Sequence, residues 1–202
     1  LVKKTILAHK KIIFNGNGYT DEWIEEAKKR GLYNLKSTPE ALPALIADKN
    51  IKLFTKHHIY TESEIYSRYE ILLENYSKTI HIEAKTLYSM LEKDFLPSVE
   101  KYTMELVEGI EKKKAVAGLS CTSELKLLDK LQTGYEEIAS KAEVLAADTK
   151  IAEAMTDALA KYYSGTILTE MDDIRHIADS LEELIPTDMM PYPGYDELLF
   201  SV

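Results

Sequence analysis

Apolar side chains recur at steps of three and four residues through most of this chain, and this periodicity limits the fold more than any other feature. Residues spaced in this way share one face of an α-helix, so each run predicts a long amphipathic helix. The first run contains Ile65, Tyr69, Leu72, Tyr76, Ile80, Ala84, Leu87 and Leu91. The second contains Leu128, Leu131, Tyr135, Ile138, Ala142, Leu145, Ala152 and Leu159. The third contains Ile167, Met171, Ile174, Ala178, Leu181 and Ile185.

The first long helix has a recognisable start. Thr61 and Glu64 have the spacing of a capping box, in which each residue satisfies a free amide of the first helical turn. Pro97 lies further along, and the apolar periodicity resumes after it. We therefore expect a kink at Pro97 rather than the end of the helix.

Glycine and proline are scarce, with 8 and 6 residues in a chain of 202, and they mark the expected ends of the long helices. Gly118 should separate the first helix from the second and Gly165 the second from the third, and Pro186 should end the third. Long amphipathic helices with short connections fold back on one another to bury their apolar faces. Residues 61–186 are therefore predicted to form an elongated antiparallel bundle of three helices.

Shorter elements are predicted before the bundle, in residues 1–60. Residues 2–13 suit a helix, although the apolar run at 12–14 suits a short strand equally well. A further helix is predicted over residues 21–30, with Gly31 after it as the C-terminal cap. The fold class is therefore all-α, with a segment of shorter helices and turns ahead of the long bundle.

The last part of the chain, residues 187–202, is predicted to leave the bundle as an extended tail. Pro191 and Pro193 disfavour helix there. Terminal residues are usually disordered unless contacts hold them, and this tail is too apolar for a solvated end. We expect the following side chains to dock on another part of the protein: Tyr192, Tyr195, Leu198, Leu199 and Phe200.

The composition argues against several classes of function. The formal net charge of -9 disfavours nucleic-acid binding, because phosphate backbones are bound by clustered Lys and Arg. No apolar run approaches the roughly 20 residues that cross a bilayer, and no signal-peptide pattern is present, so no membrane partner is expected. Cys121 is the only cysteine, which rules out an internal disulfide and suits a reducing cytoplasm. The first residues, from Leu1, look like the middle of an element, so we expect a piece of a longer protein.

Residues 15–23, NGNGYTDEW, place two glycines before a predicted helix, where proteins often bind phosphate. The helix that follows begins with Asp21 and Glu22, whose carboxylates would repel a phosphate. The glycine spacing also differs from the dinucleotide-binding and P-loop patterns. We therefore expect a sharp turn here, with Asn and Gly in left-handed conformations and Thr20 as the helix cap.

Candidate metal ligands are few. Asp173 and His176 lie one helical turn apart, but bundle metal sites use a second copy of this carboxylate-x-x-His motif, and the sequence has none. We interpret them as part of a solvated acidic helix face. His57 and His58 are adjacent, so on a helix they point about 100° apart and do not easily share one ion.

The remaining reactive side chains also lack partners in the sequence. His81 and Glu83 have the wrong spacing for a carboxylate-x-x-His motif. Cys121 stands at an expected helix start with no histidine nearby in sequence, and we interpret it as inert. The residues by themselves predict a helical protein with no catalytic residue, no metal ligand and no cofactor-binding residue.

Three segments resemble a known enzyme family. Residues 9–43, HKKIIFNGNGYTDEWIEEAKKRGLYNLKSTPEALP, resemble the region that follows the catalytic core in type III glutamine synthetases. Residues 53–87, LFTKHHIYTESEIYSRYEILLENYSKTIHIEAKTL, continue the resemblance, and PYPGYDELLF at 191–200 is similar to the C-terminal end of this family. The resemblance covers the chain from its start to about residue 108 and again from about residue 190.

The resemblance implies a role for the chain inside a larger enzyme. Enzymes of this family join ammonia to glutamate at the expense of ATP, use Mg²⁺ or Mn²⁺, and assemble into large oligomers. Their ATP- and metal-binding residues lie in the catalytic core, and no position of this chain matches those motifs. The resemblance thus implies a non-catalytic C-terminal helical portion that serves subunit packing or regulation in a cytoplasmic homo-oligomer.

The partners implied are the upstream catalytic core and other subunits of the same enzyme. The apolar tail would then dock either on residues 1–60 or on that core. An alternative hypothesis is a free-standing helical adaptor that binds a partner protein along one bundle face. A third, a metal-dependent bundle enzyme, is disfavoured by the single Asp-x-x-His motif.

Overall fold

A computed structural model describes residues 1–153 and 159–200, without the side chains of residues 195 and 196. Its described residues form helices, turns and irregular segments, and no β-strand occurs among them. This confirms the all-α prediction. The chain divides into two compact units, Leu1–Tyr69 and Glu70–Val202, and the boundary lies inside the first long helix.

The first unit is built from short helices. They are α1 (Val2–Ala8), α2 (Asp21–Lys29), α3 (Thr38–Ala41), α4 (Asp48–Lys56) and the first two turns of α5 (Glu62–Met90). A 3₁₀ turn at Lys10–Ile12 shows that the second alternative for this region, a strand, was wrong. Helix α4 was not predicted, because its N-cap residue is Ala47, which has no side-chain oxygen to signal a helix start.

The turn at residues 15–18 differs from the expectation. None of these residues has a left-handed backbone, and Thr20, the N-cap of α2, makes no side-chain capping bond. Instead the Thr20 hydroxyl donates to the Asn17 carbonyl oxygen at 3.0 Å. Gly16 is needed for space, because a Cβ atom there would lie 2.4 Å from the Phe14 ring, which stacks on Trp23 at 4.4 Å between centroids.

The second unit contains the long helices. After α5 they are α6 (Leu96–Ala117), α7 (Thr122–Glu153), α8 (Leu159–Tyr162), α9 (Leu168–Glu182) and α10 (Tyr195–Phe200). Two π-helical turns, Leu91–Phe95 and Tyr163–Ile167, join α5 to α6 and α8 to α9. A 3₁₀ turn, Thr187–Met189, follows α9.

Local signals at the first long helix act as predicted. The Thr61 amide donates to Glu64 Oε2 at 2.7 Å, and the Glu64 amide donates to Thr61 Oγ1 at 3.3 Å, which completes the capping box. The helical chain continues through Pro97, and the adjustment is the π turn just before it, where the Leu96 amide donates to the Leu91 carbonyl. Gly118, with φ of 60°, ends α6.

Cross-helix contacts establish that neighbouring helices are antiparallel. Lys113 near the end of α6 pairs with Glu124 at the start of α7 at 2.7 Å. Between α7 and α9, Lys141 pairs with Asp173 at 2.9 Å, while Gly134 packs against the more distal Leu181. The predicted apolar runs form one core, which Val99 also joins, including Ile80, Ala84, Leu91, Leu131, Ile138, Ala142, Leu145, Ile167, Ile174 and Leu181.

Two expectations for the second unit were wrong. Gly165 does not end a helix, since it lies within the π turn that joins α8 to α9. The tail is extended at Met190 but becomes helical again as α10. Pro191 and Pro193 both precede this helix, so neither removes one of its hydrogen bonds, and the Gly194 carbonyl accepts from the Leu198 amide at 3.0 Å.

Candidate functional site

The C-terminal segment returns to the bundle, and its attachment depends on polar contacts at two points. The Ser98 hydroxyl donates to the Met189 carbonyl oxygen. Further on, the Tyr192 hydroxyl donates to Asp94 Oδ2 at 2.9 Å and lies 3.3 Å from the Met90 carbonyl oxygen. Both partners of Tyr192 belong to the π turn or its N-cap, so this irregular turn helps to form the attachment point.

Burial, followed by the hydrogen bond to Asp94, raises the pKa of Tyr192 to about 12. The phenol therefore keeps its proton and acts as a hydrogen-bond donor throughout the physiological pH range. This contact is structural, because a neutral phenol of this kind is neither a nucleophile nor a base.

An apolar cavity of about 280 Å³ lies beneath the segment. Leu87, Met90 and Leu91 form one wall, and Ile174 and Ala178 of α9 form the other. Leu198 of α10 reaches this cavity from the tail. The tail is therefore attached to the bundle through Tyr192, and Leu198 lines the cavity while remaining 59% exposed.

The other predicted docking residues have different surroundings. Leu199 and Phe200 are 74% and 77% exposed, so most of their apolar surface faces solvent. The side chain of Tyr195 lies outside the described residues. An apolar helical end is thus held on the bundle at one side and uncovered at the other, which is typical of a contact surface. That this surface docks on another part of the protein stays a prediction.

A second polar cluster was not found by sequence reasoning. His81 Nδ1 lies 2.8 Å from the Tyr163 hydroxyl, and His81 Nε2 lies 3.4 Å from Glu153 Oε1, which also pairs with Lys85 at 2.7 Å. Glu83 is close to His81 in sequence, whereas the partners of His81 in the structure are 72 and 82 residues away. Burial, followed by the charge of Glu153, raises the pKa of the Tyr163 phenol, so the cluster joins helices rather than activating a nucleophile.

A carboxyl pair, also missed, lies between α7 and α9. Glu170 Oε2 is buried and has no hydrogen-bond partner in the part of the chain that the structure describes. Burial first, and then the neighbouring Asp148 carboxyl, raise the pKa of Glu170 to about 7. Tyr162 also faces Asp148. No periodic signal marks Glu170, because it occupies the edge of the apolar face.

The acidic face proposed for α9 has its own ion pairs. His176 is 3.9 Å from Asp172, and both side chains are about three-quarters exposed. Arg175 pairs with Asp179 at 2.6 Å. Within residues 1–153 and 159–200, no three His, Cys, Asp or Glu side chains are grouped so that they could hold a metal ion.

Cys121, which the sequence predicts to be inert, is not exposed. Cys121 is buried just before α7, and its thiol lies 3.7 Å from the Leu119 carbonyl oxygen. Among the described helices, none combines the length and apolar character that crossing a membrane requires.

Comparison with known proteins gives the family context. Residues 1–114 match the model of the glutamine synthetase C-terminal domain. Over its full length, the chain is 50% identical to a glutamine synthetase of Butyrivibrio fibrisolvens, of which it covers 29%. It is 31% identical to the type-3 glutamine synthetase of Dictyostelium discoideum and 27% identical to a glutamine synthetase of Bacteroides fragilis (strain YCH46), and it covers 28% of each. The chain thus spans less than a third of the length of these relatives.

Proposed function

Because this chain belongs to the glutamine synthetase C-terminal domain family, we propose that it is the non-catalytic helical portion of a larger cytoplasmic glutamine synthetase and serves subunit packing. The parent enzyme would join ammonia to glutamate with hydrolysis of ATP. The chain's contribution would be to position and join the parts that carry out this reaction.

Two features of the described residues support the proposal that ATP and its metal ion bind elsewhere in the parent enzyme. The described residues contain no group of three metal-ligating side chains. The glycine-containing turn before α2 leads into Asp21 and Glu22, whose carboxylates would repel a phosphate. We therefore place ATP and Mg²⁺ or Mn²⁺ in the part of the parent enzyme outside this chain.

The observation that carries the packing role is the uncovered end of the C-terminal segment. Tyr192 holds the segment on the π turn, while Leu199 and Phe200 remain mostly exposed. Exposed apolar side chains on an anchored element are costly in water and favourable at an interface. We propose that they contact the catalytic core or a neighbouring subunit in the assembled enzyme.

The test uses the full-length parent enzyme carrying Leu199→Asp and Phe200→Asp together. We expect mass photometry to show a shift from the wild-type assembly to smaller species, because buried carboxylates oppose association. Val144→Asp, at a half-exposed position on α7, is the matched control and should leave assembly unchanged. Wild-type assembly in the double variant would contradict the proposal.

A further inference from the structure

The N-terminal helix presents an apolar surface that the rest of the first unit leaves exposed. None of the α1 residues is buried. Val2 is 71% exposed and Leu7 is 56% exposed, and Ile6, Ile12 and Ile13 are each more than 40% exposed. We call these five residues the N-terminal strip. An amphipathic helix gains little stability unless its apolar face packs against something, so the strip requires a partner.

The end of the strip is fixed to the rest of the first unit. Arg30 Nη1 donates to the Ile13 carbonyl oxygen at 2.7 Å and to the Lys11 carbonyl oxygen at 3.3 Å. Phe14 stacks on Trp23, and the Arg30 guanidinium lies 5.7 Å from the centre of the Trp23 ring. The segment is therefore attached to α2 at its C-terminal end, while the apolar side chains before it stay uncovered.

The charges around the strip indicate what kind of surface it fits. The first 14 residues contain four lysines, Lys3, Lys4, Lys10 and Lys11, and no acidic residue, although the net charge of the chain is -9. Lysine ammonium groups flanking an apolar strip favour a partner surface with apolar side chains surrounded by carboxylates. Charge complementarity of this kind also disfavours a basic partner.

The family match indicates which partner the N-terminal strip contacts. The chain belongs to a C-terminal domain family and covers 29% of its Butyrivibrio relative, so most of such an enzyme lies outside it. A preceding segment would be tethered next to α1, which gives it a high effective concentration there. We propose that the N-terminal strip packs against an acidic-rimmed apolar surface in the preceding part of the same polypeptide. This inference rests on the proposed function, and it names the contact between the two parts.

Hydrogen exchange in the full-length enzyme tests the contact. Amides of residues 2–8 should be protected in the wild type and exchange about tenfold faster in Ile6→Asp, because the strip no longer packs. Thr5→Asp, on the same helix but outside the strip, is the matched control and should retain protection. Unprotected amides in the wild type, or an equal loss in both variants, would overturn the proposal.

Zero-length cross-linking of lysine to carboxylate identifies the partner without a variant. The sample is an assembly of mixed isotope-labelled and unlabelled full-length subunits. We expect links from Lys3, Lys4, Lys10 or Lys11 to Asp or Glu residues that precede this chain, within peptides of one label. Links between differently labelled copies would instead assign the strip to a subunit contact and overturn the proposal. Neither measurement involves the C-terminal segment. The result of the assembly test on the Leu199 and Phe200 variant therefore does not affect the outcome of this test.

Discussion

Gly134 shows how a single residue without a side chain sets the distance between two helices. It is buried on α7, and a Cβ atom at this position would lie 2.6 Å from Leu181 Cδ2 on α9. Leu181 is itself 2% exposed, so its methyl groups have little room to move. The close approach of α7 and α9 therefore depends on glycine at this position, although glycine is a poor helix former.

Gly134→Ala should destabilise the bundle by about 1–3 kcal/mol, because the added methyl overpacks the α7–α9 contact. In a thermal melt this corresponds to a lower midpoint, by roughly 2–4 °C for each kcal/mol. Gly109→Ala is the control, since nothing lies within 4 Å of its added Cβ atom. The midpoint of this control should stay the same or rise. If both variants melted at the same temperature, the packing argument would be wrong.

Glu170 should make stability depend on pH. Its pKa is raised from 4.5 to about 7 in the folded chain, so the folded state holds this proton more tightly than the unfolded state. Stability is then lost as the pH rises from about 4.5 to about 7, because the folded chain must ionise a carboxyl beside Asp148. Since Glu170 is partly exposed, solvent screening reduces the loss to about 1 kcal/mol.

Melts of wild type and Glu170→Gln at pH 5 and pH 8 measure this effect. The variant should melt higher than the wild type at pH 8 and show a smaller change between the two pH values. Asp172→Asn, on the exposed face of the same helix, should keep the wild-type dependence. An unchanged pH dependence of stability in Glu170→Gln would refute the assignment of this dependence to Glu170.

At the scale of elements, the two π turns let helices continue past Pro97, where a kink was predicted, and through Gly165, where a break was predicted. The first precedes Pro97 and forms the attachment for Tyr192 through Met90 and Asp94. The second contains Gly165 and carries Tyr163, which contacts His81. Each π turn inserts an extra residue into the helix, which changes the direction of the side chains around it. Both irregular turns thereby take part in a side-chain contact with a distant part of the chain.

Gly165→Ala distinguishes a continuous helix from a break. The backbone at Gly165 is not left-handed, and no atom lies within 4 Å of an added Cβ atom. Alanine should therefore stabilise this helix by about 0.5–1 kcal/mol, since it loses less backbone entropy than glycine. Urea titration followed by circular dichroism measures the change. A marked loss of stability would indicate that glycine is required at this position.

For the whole molecule, the family match and the described residues point to a helical part of a larger enzyme. Its two compact units each have an apolar surface that remains uncovered, the N-terminal strip in one and Leu199 with Phe200 in the other. Protein surfaces of this kind usually become buried on assembly. We propose that contacts with the rest of the parent enzyme cover both surfaces.

The purified 202-residue chain should therefore form no glutamine and bind no ATP. The physical reason is that its described residues provide neither a metal-binding carboxylate group nor a phosphate-binding turn. A coupled assay for glutamine, compared with a heat-killed sample, and calorimetry with Mg²⁺–ATP measure the two activities. Glutamine formation above the heat-killed control would refute this prediction.

The sequence by itself determined the helical class, the core positions and the family. Helix formation and burial depend on spacing within a few turns, so residues such as Ile138 and Ile174 could be assigned to the core from periodicity alone. Capping at Thr61 is equally local, because both partners lie within one turn.

Only the tertiary structure decided which distant residues meet. His81 contacts Tyr163, which lies 82 positions away in the sequence. Tyr192, one of the predicted docking residues, contacts Asp94, which lies 98 positions away. Such pairs depend on the register and rotation of packed helices. The π turns and the buried glycine change this register and rotation, and neither feature has a periodic signal in the sequence. The docking residues could therefore be chosen from their apolar character, but their division into attached and exposed side chains followed from how the C-terminal segment folds back onto the bundle.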